Sequence, residues 1–175
     1  MDDSVQEQIA ALRKRLGRVE DELAIHRLIV RYGLAVDAGD AEAAMALFTE
    51  DSVYEVGAVG TGIRDETRKP LIMRGRAAVG KMVQSEAHQA LLPNAAHTIG
   101  PAVVTMAGET ASATGYPRIY LRENDDFRLF RMAVNHWELV KNDERWWIHR
   151  RTSVALGESD VQDLMRKALE RPVDA

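Results

Sequence analysis

The sequence predicts a single α+β domain in which helices come first and a run of antiparallel strands follows. Three observations predict it. A chain of 175 residues that is 46% hydrophobic is long enough to bury most of its apolar surface in one core and too short to need two. Apolar residues recur at helical spacing through most of the first half. From Ala95 onward, four β-like runs follow one another with only turn-forming residues between them. Segregation of helices from strands in this order is the mark of helices packed on one face of a sheet, not of an alternating α/β fold.

In order along the chain, the first segment places Val5, Ile9, Leu12, Leu16, Val19 and Leu23 at strict 4-3-4-3-4 spacing. That is a coiled-coil seam, narrower than the stripe of a globular helix. Residues 1–21 are therefore expected to form a helical arm, either folded back on its own domain or paired with a copy of itself, with Arg15 and Glu20 placed to pair between helices. From Ile25 the pattern broadens through Leu28, Ile29, Tyr32, Leu34 and Val36, as when a helix meets a core. The domain proper is placed at 22–157. Gly39 ends this helix and Asp40 caps the next, "AEAAMALF". "SVYEV" (Ser52 to Val56) reads as a short strand. The charged, glycine-rich stretch from Gly57 to Lys69 reads as a binding loop or lid. "LIMRG" is a strand leading into a third helix, "RAAVGKMVQSEAHQALL", stopped by Pro93. "AAHTIGPAVVTMAG", "ETASATGYPRIYLREN", "FRLFRMAVNHWELVKN" and "RWWIHRRTSVAL" then form a meander, and "ESDVQDLMRKALER" gives an amphipathic helix, starting near Glu158 or Ser159, within a final segment of 158–175.

Composition narrows the function. With no cysteine in the chain, disulfides, zinc–thiolate sites, iron–sulfur clusters and thiol nucleophiles are excluded. Chemistry must come from His, carboxylates, Tyr, Ser or Arg. A net charge of -4 with scattered Lys and Arg lacks the basic face that nucleic acid requires. No apolar run reaches membrane-spanning length and the start, "MDDSVQEQ", is acidic, so a cytoplasmic protein without membrane contact is expected.

Two aspartates three residues apart in "RYGLAVDAGD" ask for separate explanations. Asp40 is accounted for as an N-cap. Asp37 falls within the apolar side of its helix, beside Val30 and Gly33, where an unpaired carboxylate costs several kcal/mol. It either bonds a backbone N–H at the helix end or serves as a functional acid or base. Of the five histidines, His26 and His88 lie among charged neighbours and are expected to be solvated. His97 opens a long strand among small and apolar residues. His136 and His149 sit beside Trp137 and Trp147, each a core histidine or a pocket residue according to strand register.

The run "LIVRYGLAVDAGDAEAAMALFTEDSVYE", then "AHTIG", then "WWIHRRT" resembles the SnoaL-like branch of the nuclear transport factor 2-like superfamily over about residues 22 to 157. Within it the chain is most similar to scytalone dehydratase, bile-acid dehydratase and hexachlorocyclohexane dehydrochlorinase. The resemblance implies a cone-shaped domain, a strongly curved sheet wrapped around helices with a deep, mostly apolar pocket. The family's Tyr, its Asp five residues on and its strand-opening His fall on Tyr32, Asp37 and His97, and its late Arg falls on Arg151. Two departures stand out. "IGPA" replaces the Asn that often follows the histidine, and none of Tyr116, Arg118 or Tyr120 supplies scytalone dehydratase's second histidine. Both argue against scytalone itself as substrate.

This pattern implies a dyad. Asp37 fixes the tautomer of His97, which removes a proton from carbon. Tyr32 donates to a leaving hydroxyl or enolate oxygen, and Arg151 holds a polar end of the substrate. Elimination or isomerisation of this kind needs no metal and no organic cofactor. Tyr54, Met132, Trp137 and His149 are the candidate pocket residues, suited to a small apolar molecule, including an aromatic or polycyclic one. Two other classes stay open: a non-catalytic binding protein for an apolar molecule, and a structural small subunit of a ring-hydroxylating dioxygenase. The heptad seam, with the trimeric habit of the resembling dehydratases, predicts a homo-oligomer, a trimer or a dimer.

Overall fold

The computed structural model describes residues 3–57 and 70–170. Of the expected lid, all but Gly57 lies outside the described residues.

One uninterrupted helix, α1 (Asp3–Asp37), carries both the seam and the core-facing stripe. No proline interrupts it, and its only glycines are Gly17 and Gly33. Val5, Ile9, Leu12, Leu16, Val19 and Leu23 are between 41% and 61% exposed, whereas Ile25, Leu28, Ile29, Tyr32 and Val36 are buried. The change falls where the helix lands on the sheet. There Asp21 accepts a hydrogen bond from Trp146 Nε1 at 2.8 Å and an ion pair from Lys141 Nζ at 3.0 Å.

Gly39, at φ 66°, turns the chain out of α1 in the left-handed conformation that glycine adopts without strain. Asp40 then caps α2 (Ala41–Met45), its carboxylate accepting from the Ala43 N–H at 2.9 Å. β1 (Phe48–Val56) is longer than the stretch the sequence marked, and β2 (Leu71–Arg74) pairs with it antiparallel. The single helix expected after β2 is two: α3 (Arg76–Val83) and α4 (Glu86–Gln89). The break comes at Ser85, whose hydroxyl caps α4 by accepting from the His88 N–H. Local side-chain capping here outcompetes continued helix.

The long strands are β3 (Ala95–Ala107), β4 (Thr110–Glu123), β5 (Asp126–Asn142) and β6 (Arg145–Ala155), joined as the predicted meander. The sheet order is β2-β1-β6-β5-β4-β3, antiparallel throughout except where β1 runs parallel to β6. Register shifts interrupt the β3–β4, β4–β5, β5–β6 and β1–β6 ladders. Such bulges bend strands, and the open sheet curves around α1. Trp137, Leu139, Ile148, Phe48 and Ala113 on the sheet meet Ile25, Ile29 and Val36 of α1 in one core. The last helix, α5 (Val161–Leu169), lies against β4 and β5, where Tyr116 donates to Met165 Sδ at 3.8 Å.

Candidate active site

The site is built where the last turns of α1 cross the start of β3. Gly33 makes the crossing close: a Cβ there would stand 2.6 Å from the backbone oxygen of His97. One helical turn further on, the Asp37 carboxylate takes both of its nearest donors from His97. Its Oδ2 accepts from the His97 backbone N–H at 2.7 Å, and its Oδ1 lies 2.5 Å from His97 Nδ1. The side chains of Asp37 and His97 are 22% and 17% exposed. Both readings of Asp37 therefore meet in one residue: it satisfies a backbone N–H, though on β3 and not at its own helix end, and it holds a ring. A carboxylate can only accept here, so the network assigns the proton to Nδ1 and leaves Nε2 as the free lone pair.

His97 forms part of the wall of a cavity of about 70 Å³ inside the curved sheet. Val56, Ile119 and Ala133 supply apolar wall, and Tyr54, Arg131, Arg151 and Ser153 supply polar groups. The Tyr54 hydroxyl is 2.6 Å from that of Tyr32, which is buried behind it. Burial, followed by the neighbouring Tyr54, raises the Tyr32 phenol well above the ordinary tyrosine value, so it stays neutral and serves as a hydrogen-bonding group. The Arg151 guanidinium lies over both rings, 4.5 Å from the Tyr54 centroid and 5.1 Å from that of Tyr32. Asn135 holds it from the other side. With its amide oriented to donate to Ser153 Oγ at 2.8 Å, Asn135 accepts from Arg151 Nη2 at 2.9 Å and Nε at 3.3 Å.

The other candidates are placed as follows. Tyr54 lines the cavity. Trp137 lies on the same face of β5 but is fully buried in the core below, with no partner for its Nε1 among the described residues. Met132 alternates with Arg131 and Ala133, which both line the cavity, and so points to the opposite face of the sheet. His149 falls at the register shift of β6, where its Nδ1 lies 3.2 Å from the Thr49 hydroxyl and 3.6 Å from Asp51, outside the cavity wall. His136 bonds Thr114 at 2.8 Å. His88, expected in solvent, is buried: its Nε2–H donates to the Val36 carbonyl at 2.8 Å, and its ring centroid is 6.0 Å from that of His97. The carbonyls left open at the end of α1 draw it inward.

Arg131 and Asn135 escaped the sequence reading. Their signal was the two-residue period of β5, since Arg131, Ala133, Asn135 and Trp137 share a face, and a cation and an amide in phase with a buried Trp have no solvent-facing excuse. Among the described residues no group of three His, Asp or Glu is gathered to hold a metal ion.

A sheet bent around one long helix, with a carboxylate–histidine pair and two arginines facing the hollow, defines a cone-shaped α+β protein with a chambered pocket. The chain belongs to the SnoaL-like domain family, whose profile matches residues 17–152. It is similar to an NTF2-like protein with a cystatin-like fold from Novosphingobium aromaticivorans, at 33% identity over 88% of this chain and 94% of that one, with a TM-score of 0.77. Two further structures from that organism share the fold. A candidate scytalone dehydratase is 18% identical over 82% and 97% of the two chains, with a TM-score of 0.62. The beta subunit of a candidate aromatic-ring-hydroxylating dioxygenase is 22% identical over 79% and 90%, with a TM-score of 0.62. No curated protein sequence matches the chain. No helix among the described residues is long and apolar enough to cross a membrane.

Proposed function

We propose that the protein is a cofactor-independent lyase or isomerase in which His97 removes a proton from carbon. The observation that carries this reading is the bond between Asp37 Oδ1 and His97 Nδ1, 2.5 Å long, on a ring that lines the cavity. It leaves Nε2 as the basic nitrogen, and the Asp37 charge stabilises the imidazolium that forms. The proton comes from a carbon next to a carbonyl, and the negative charge passes to the carbonyl oxygen. Tyr54, backed by Tyr32, donates to that oxygen or to a departing hydroxyl, while Arg151 holds a polar end of the substrate. Loss of the hydroxyl gives a dehydratase and return of the proton elsewhere gives an isomerase.

The test is proton exchange in heavy water, followed by NMR on a panel of small β-hydroxy ketones and esters. The intact protein should exchange or eliminate, and His97→Gln should lose about 10²–10⁴ of the rate. Equal rates in both proteins would end the proposal. If the protein binds a panel member without exchange, and His97→Gln binds it equally well, the pocket belongs to a binding protein. The fold of the dioxygenase beta subunit favours one further reading, a structural subunit. That reading requires a larger iron-containing chain to copurify.

The exposed seam of α1 supports a homo-oligomer, a dimer or trimer, since six apolar side chains in register bury best against copies of themselves.

A further inference from the structure

The cavity holds more positive charge than its surroundings answer. Arg131 and Arg151 both line it, on adjacent strands, and each has one buried guanidinium nitrogen, Arg131 Nη2 and Arg151 Nη1, without a hydrogen-bond partner among the described residues. The other two nitrogens of Arg151 are taken by Asn135. Among the described residues no carboxylate lines the cavity. Asp37 is committed to His97, and Glu158, the acidic residue that acts on Arg131, is on the exposed segment before α5. Burial, followed by the Arg151 charge, lowers the Arg131 guanidinium below the ordinary arginine value. Arg151 is buried and Arg131 half-buried, each with one buried nitrogen unpaired, and two such cations facing one hollow are a standing cost that a bound anion removes.

We propose that this pair is an anion subsite and that the substrate enters as a carboxylate, one oxygen on Arg131 Nη2 and the other on Arg151 Nη1. Two unfilled donors suit the two oxygens of a carboxylate, whereas a phosphate presents three oxygens and more charge than they answer. The walls beside them, Val56, Ile119 and Ala133, accept a short carbon skeleton. The carboxylate is the anchor, and the acidic carbon lies next to a second carbonyl further along the molecule. This class, small oxo- and hydroxy-oxo-carboxylates, rests on the reaction proposed above for its turnover, but its binding does not depend on His97 acting as a base.

The experiment measures binding by calorimetry with 4-oxopentanoate, its neutral amide and inorganic phosphate, on the intact protein, Arg131→Met, Arg131→Lys and His97→Gln. The acid should bind and the amide should not. Arg131→Met should weaken the acid about 10- to 100-fold, as expected for a lost charge-assisted hydrogen bond, with Arg131→Lys between. Arg131→Met should also melt no lower than the parent without ligand, because it removes a half-buried cation with one buried nitrogen unpaired, so weak binding is not mistaken for unfolding. Acid and amide binding equally, phosphate displacing the acid at equal concentration, or undiminished affinity in Arg131→Met would each overturn the subsite. Retained binding in His97→Gln, together with absent proton exchange in the parent, would overturn the reaction and leave the subsite standing.

Discussion

Replacing Gly33 by Ala sets two effects of opposite sign against each other, and the structure decides which prevails. Alanine in place of a helix-interior glycine is favourable by about 1 kcal/mol on propensity. The new Cβ, however, would sit 2.6 Å from the His97 carbonyl oxygen, a backbone atom that no side-chain rotation can move. Reaching ordinary contact at 3.4 Å requires α1 and β3 to separate by about 0.8 Å. Applied one turn along, the same displacement would lengthen the 2.5 Å Asp37–His97 bond to about 3.3 Å, past the usual N–H···O range. Overpacking of this kind costs about 1–3 kcal/mol, so the net result is a loss of about 0–2 kcal/mol and a melting point lower by about 2–4 °C for each. Misplacing a catalytic pair by nearly 1 Å should lower turnover about 10²-fold. Gly17→Ala is the control, since nothing lies within 4 Å of its Cβ; it should not lower the melting point. The assay is thermal unfolding with proton NMR of the His97 ring. A Gly33→Ala protein that melts higher by the propensity term, with an unchanged Nδ1–H signal, would refute the reasoning.

Three other perturbations have defined outcomes. Asp40→Ala removes the bond to the Ala43 N–H and should cost about 0.5–2 kcal/mol in chemical denaturation, with proton exchange at the parental rate because Asp40 touches nothing in the cavity. Leu16→Glu with Val19→Glu places charge in the exposed seam of α1; light scattering should show the parent as a dimer or trimer and the variant as a monomer, and a monomeric parent would remove the seam's assigned purpose. His136 has its pKa lowered by burial, which outweighs the opposing effect of Glu138, with a smaller lowering contribution from Lys167 on α5. The unfolded chain then binds this proton more readily than the folded one, so stability is full above about pH 6.5 and falls as pH drops toward the folded value. His136→Gln should flatten that part of a melting-point profile against pH.

The elements easiest to read were those whose signal is local. The meander of β3 to β6 is bounded by turn residues that the structure places at positive φ, Asn124, Asp125, Asp143 and Glu144 among them, and Asp40 caps where its position said it should. The placements of His88 and His149 depended on partners far along the chain. Nothing in "HQALL" shows that the open carbonyls of α1 will draw His88 inward, 52 residues from Val36. Nothing in "WWIHRRT" shows that β6 shifts register at His149 and carries that ring outside the cavity wall while returning Arg151 to the inside. One inserted residue reverses the facing of everything beyond it, so alternation within a strand was sound and alternation across a bulge was not. Arg131 lay before the shift and was readable from Trp137.

Asp37 makes two bonds to one residue, and that double contact gives its substitution a sharper consequence than loss of charge alone. In Asp37→Asn the amide oxygen still accepts from the His97 backbone N–H, so the junction of α1 and β3 keeps its anchor. The amide nitrogen is then left facing Nδ1, where two donors cannot meet. The imidazole relieves this by moving its proton to Nε2, and the nitrogen of the proposed base becomes an N–H donor. The fold should therefore survive with a small change in melting point, while proton exchange falls about 10²–10⁴-fold. Nitrogen NMR of His97 should show the proton on Nδ1 in the parent and on Nε2 in the variant. A variant that keeps the Nδ1–H tautomer and the parental rate would show that Asp37 only fastens α1 to β3.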